Sequence, residues 1–130
     1  IDTQGAELEI LKEIGNYFPL MMKVEAQVIP MYENAPDWTE LTNYLYKMNY
    51  MVCEWIEIGK HSTRTPAEMD MLFIPNYLTE NGKKIIQSRE NEFISLMLIF
   101  GHIKLLQVIS NKLNLSVNLE VQKLKDKFFY

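Results

Sequence analysis

Cysteine is nearly absent: Cys53 is the one thiol in 130 residues. An internal disulfide and a cysteine-based structural zinc site are therefore excluded, and a reducing compartment, the cytoplasm, is the expected setting. Positive charge is also short. The formal net charge is −4, whereas a nucleic-acid footprint usually shows as an excess of Lys and Arg on one face, so nucleic acid is not an expected partner. Long apolar runs are missing too. In the most hydrophobic part of the chain the longest unbroken one, Leu96 to Phe100, falls far below the ~20 residues of a membrane span. With no signal-peptide pattern and no lipidation motif in view, no membrane association is expected. A Gly-rich phosphate loop, His-Glu-x-x-His, Gly-x-Ser-x-Gly and Cys-x-x-Cys are all absent. The expectation is a protein that is not an enzyme and holds no cofactor and no metal.

What is present suits one domain over residues 1–130. The chain is 48% apolar and 23% charged, too hydrophobic for a disordered segment and long enough to bury a core. Its negative charge is uneven. Residues 1–65 carry ten acids against five bases, and residues 66–130 seven acids against eight bases. A protein partner with a basic surface would favour the first half.

Apolar spacing reads as helix along most of the chain. Leu8, Leu11 and Ile14 step by three over residues 3–16, and Met21, Val24 and Val28 continue an apolar face from Pro19 to Pro30. Asp37-Trp-Thr-Glu40 has the form of a capping box. After it Trp38, Leu41, Leu45, Met48, Val52 and Trp55 step by three and four, which predicts a helix over 37–60 with a heptad seam. Such a seam suits packing in a bundle, with a homodimer as a further option. Thr65-Pro-Ala-Glu68 forms a second capping box and predicts a short helix over 66–74. Glu80-Asn-Gly-Lys83 is a turn signal, read as the end of a helical turn in preference to a hairpin. Residues 90–112 are apolar in nearly every direction around a helical wheel, the mark of a helix buried all round. Val117, Val121, Leu124 and Phe128 predict a last helix over about 117–129. The fold class expected is all-α: an antiparallel bundle of five or six helices around the buried helix 90–112.

Taking the seam of helix 37–60 as its inner side, Asn43, Tyr46, Tyr50, Cys53, Glu57 and His61 lie along the opposite stripe. Two tyrosines and a thiol are unusual on a solvated face, so either the protein's own helices cover the stripe or it meets a partner. Tyrosine offers large contact area with one polar tip, so Tyr46, Tyr50, Cys53, Glu54, Glu57 and His61 form the candidate partner-binding set. Cys53, Glu57 and His61 drift too far down one helix to converge on a metal. His102, within the apolar helix, is expected to be a hydrogen-bonded core imidazole. The function expected is that of an adaptor, inhibitor or small subunit binding another protein through this acidic, Tyr-bearing face, with a helical small-ligand domain as one alternative. A second alternative comes from Tyr77-Leu-Thr-Glu-Asn-Gly-Lys-Lys-Ile-Ile86. This segment resembles the one after the wing in winged-helix transcription regulators, where a strand end passes through Gly-Lys into a long dimerisation helix; the resemblance implies a DNA-binding regulator.

Overall fold

The computed structural model describes residues 1–3, 5–30, 33–60, 66–116 and 127. They fall into two compact units, residues 1–76 and 77–130. The first unit contains α1 (Glu7–Lys12), β1 (Met22–Gln27), α2 (Trp38–Lys47), β2 (Tyr50–Lys60) and β3 (Pro66–Pro75); the second contains α3 (Glu80–Ser88), α4 (Glu90–Ile99) and α5 (Ile103–Leu113). The expected all-α bundle is thus corrected to a mixed fold, in which three strands form an antiparallel sheet of order β1-β3-β2.

Helix 37–60 fails at a single residue. Asp37 caps α2 as its spacing implies, accepting from the Glu40 amide at 2.9 Å, but the helix stops at Lys47 and Asn49 adopts φ +66°. Asn is one of the few residues that tolerate the left-handed region. The chain emerges as strand, and the Asn49 carbonyl accepts from the Asn76 amide at 2.7 Å, tying the start of β2 to the end of β3. The residues that follow, rich in Val, Ile, Trp and Tyr, suit a pleated surface. Two further segments read as helices are strands. In β1, Met22, Val24 and Ala26 alternate with Lys23, Glu25 and Gln27; in β3, Met69, Met71 and Phe73 alternate with Glu68, Asp70 and Leu72. Period two is the strand signature. Pro66 and Pro75 sit at the two ends of β3, where the missing amide does least harm.

One face of the sheet carries the core of the first unit. Met22, Val24, Ala26, Met71 and Phe73 pack with Leu8 and Leu11 of α1 and Leu41 and Leu45 of α2. Tyr50 joins them and donates its hydroxyl to the Pro19 carbonyl at 2.8 Å. Each such large side chain, fully buried, contributes about 1.5–3 kcal/mol. The opposite face, called the outer face below, carries Lys23, Glu25, Glu68 and Asp70 together with the buried Gln27 and Leu72.

The expected continuous helix 90–112 is also divided. Phe100 to His102 interrupt it, with Gly101 at φ +76°, a conformation that favours glycine. The apolar residues around the wheel belong to two helices that each bury a different stripe: Phe93 and Met97 on α4, and Ile103, Leu106, Ile109 and Leu113 on α5. Glu80-Asn-Gly-Lys83 is helical, as favoured, though it opens α3 where a helix end was expected: Thr79 caps the helix, accepting from the Gly82 amide at 3.1 Å. The segment expected to form a last helix lies outside the described residues, apart from Lys127.

Candidate functional site

The first site is assembled from a loop and two strands. Glu7 is only 3% exposed at the start of α1. Its carboxylate accepts from the Thr3 amide at 2.9 Å and the Gly5 amide at 3.1 Å, fixing the loop that leads out of Asp2. A buried carboxylate held by backbone amides is an anchor, because removing it would leave those donors unsatisfied. The loop sets Asp2 against the outer face of the sheet, within hydrogen-bonding reach of Glu25 on β1, which in turn hydrogen-bonds Glu68 on β3. Three carboxyl groups meet there. Burial, the hydrogen bond with Glu68 and the negative charges of Glu68 and Asp2 together push the Glu25 carboxyl up from 4.5 to about 7. The nearest described base on these strands, Lys23, already pairs with Asp70 at 3.1 Å.

Gly59 shapes the cluster from the neighbouring strand. It lies opposite Glu68 in the β2–β3 register, and a methyl group there would come within 3.1 Å of Glu68 Cγ and Oε1. The bare backbone leaves room for the Glu68 side chain beside it. Among the described residues no group of three or more His, Cys, Asp or Glu side chains is arranged to hold a metal ion.

The second site is apolar and belongs to the opposite face. Val28, Trp38, Trp55, Pro66 and Met69 line an open recess of about 300 Å3. Trp55 stands 63% exposed at its edge. A register shift between Val52 and Glu54 leaves Cys53 as an extra residue, so that Val52 opposite Phe73 and Trp55 opposite Met71 both face the core side.

The residues expected to form one stripe are dispersed. Tyr46, on α2, is 48% exposed, whereas Tyr50 is 3% exposed within the core of the first unit. Cys53 is half-buried at the bulge, where burial and the charge of Glu54 push its thiol up to about 11. Such a thiol is almost wholly protonated at neutral pH and is a poor nucleophile. Glu54 and Glu57 lie on β2, where they pair in register with Leu72 and Met69; His61 lies outside the described residues. His102 precedes α5, half-buried, its amide donating to the Met97 carbonyl at 2.8 Å. Asp2, Glu25 and Glu68 were missed. The signal for Glu25 was available in the alternation Lys23-Val-Glu-Ala-Gln27, which puts a carboxylate on a half-buried strand. No helix among the described residues is long and apolar enough to cross a membrane.

No protein-family model, curated protein or solved structure matches the chain.

Proposed function

We propose that this chain is a non-enzymatic interaction protein of the cytoplasm, whose partner is another protein with a basic surface received on the outer face of the sheet. The observation that supports it is the crowding of Asp2, Glu25 and Glu68, where burial first, then the hydrogen bond with Glu68 and the charges of Glu68 and Asp2, hold Glu25 at about 7. A Lys or Arg side chain placed there offsets the repulsion, lowers the Glu25 pKa and so expels a proton. Sign and setting agree. Residues 1–76 carry twelve acids against five bases, a field that draws a basic partner in and weakens with salt.

Calorimetric titration with a lysine-rich peptide at pH 7, in two buffers of different ionisation enthalpy, tests the linkage. Proton release on binding is expected for the wild type and absent in Glu25→Gln. Binding without proton release, or binding unchanged in Glu25→Gln with Glu68→Gln, overturns the reading.

A second reading rests on the same carboxyl. A group that titrates near 7 is matched to general acid–base work, and under that reading Glu25 moves a proton for a substrate bound over the outer face. The two readings separate on Glu25→Gln and Glu25→Asp. A binding role tolerates the aspartate at neutral pH, whereas an acid–base role loses its pH inflection near 7 in both.

A further inference from the structure

We infer that the recess between Trp38 and Trp55 receives the arginine side chain of a protein partner. The recess lies on the face opposite the carboxylate cluster, so this inference stands or falls separately from the function proposed above. Among the described residues the lining is Val28, Trp38, Trp55, Pro66 and Met69, none of them charged. An indole face attracts a cation through its quadrupole, tryptophan most strongly, and a thioether adds a polarisable wall.

The charge around the recess has the complementary sign. Asp37 precedes Trp38, and its backbone bridges Gln27, the neighbour of Val28, so it adjoins two of the lining residues in the chain. The Thr39 hydroxyl at 2.6 Å and the Glu40 amide at 2.9 Å donate to the Asp37 carboxylate and hold its pKa below the usual value. It is therefore ionised throughout the working range. The twelve-to-five excess of acids over bases in residues 1–76 extends the same field.

Apolar walls select among cations. An ammonium group entering them gives up strong hydration with no side-chain acceptor among the described lining residues to replace it. Guanidinium is weakly hydrated, planar and able to lie flat on an indole, with its methylene stem against Val28, Pro66 and Met69. Arginine is accordingly the occupant, and it is also a residue enriched where interfaces concentrate their binding energy.

The chain provides its own reporter, since its two tryptophans both line the recess. The intrinsic fluorescence is followed as the full chain is titrated at constant ionic strength with Nα-acetyl-arginine amide, its lysine counterpart and Nα-acetyl-citrulline amide, which keeps the shape of arginine without the charge. A saturable change is expected with the arginine compound, with citrulline weaker by about 2- to 30-fold, the span that a cation–π contact contributes. Asp37→Asn keeps a competent helix cap and removes the adjoining charge, so weaker binding is expected at unchanged Tm. Trp55→Leu, at a site 63% exposed, should fold normally and abolish the response of Trp38. Equal binding of citrulline or of the lysine compound, no saturable response to arginine, or a response that survives in folded Trp55→Leu overturns the inference.

Discussion

Glu25 couples folding to pH. Its folded-state value is about 7 against 4.5 for an ordinary Glu, so between these limits the folded chain binds more protons than the unfolded one. Stability from this group is therefore full below about 4.5, falls as pH climbs and levels off above about 7. Thermal melts at pH 5 and pH 7.5 should show a lower Tm at the higher value, and Glu25→Gln should reduce that difference. The two tyrosines once placed on one stripe should part company. Tyr50→Ala removes a buried ring and its hydrogen bond to Pro19, at an expected cost of about 3–5 kcal/mol by the scale of buried aromatic truncations. Tyr46→Ala, at a position 48% exposed, should change stability by less than about 0.5 kcal/mol. Chemical denaturation of both variants checks the contrast.

Helix caps and helix stops behave differently as elements, and their legibility differs for the same reason. Asp37 was readable because a capping carboxylate acts on amides two or three residues away. Replacing it with Ala should cost about 1 kcal/mol, measurable by urea denaturation. Asn49 was not readable as a stop, because its left-handed backbone is fixed by the pairing of β2 with β3 and not by its neighbours in sequence. Asn49→Val should destabilise the first unit, since a β-branched side chain resists φ +66°, whereas Asn49→Gly should be nearly neutral. The spacing of Val52 and Trp55 also misled for a physical reason. A two-residue period with one residue inserted at Cys53 produces a step of three, the same interval a helix uses. Met22, Val24 and Ala26 met a similar ambiguity, because Met21, Val24 and Val28 satisfy helical steps in the same stretch. Contacts with β3 resolve it, and those come from residues more than forty positions away in sequence. α2 as far as Lys47, the helical character of 80–99 and 103–113, and the acidic first half were legible from local pattern alone.

For the whole molecule, the formal charge of −4 conceals two unlike units. Residues 77–130 hold five acids and eight bases, the reverse of the balance in residues 1–76. Each unit also has fully buried aromatic residues to lose: Phe73 in the first and Phe93 in the second, both 0% exposed. Phe73→Ala and Phe93→Ala should each cost about 3–5 kcal/mol. Phe100→Ala, in the turn after α4 and 48% exposed, should cost far less, although composition alone would rank it as a core residue. Equilibrium denaturation of the three variants tests that ranking. A far-ultraviolet circular dichroism spectrum with both helical and strand components is the corresponding check on the mixed fold.

The bulge at Cys53 makes this a place in β2 where a residue can be lost without turning the strand over. Cys53 can be exchanged for Ser or Ala with Trp55 still on the core side. Deleting it returns β2 to plain alternation, with Val52 opposite Phe73, Glu54 opposite Leu72 and Trp55 opposite Met71 as before. A residue inserted between Glu54 and Trp55 and paired in the ladder acts in the opposite way: it moves Trp55 opposite Asp70, onto the acidic face, and takes one wall from the recess. The recess should therefore survive loss of the bulge and fail when the ladder beyond it gains a residue.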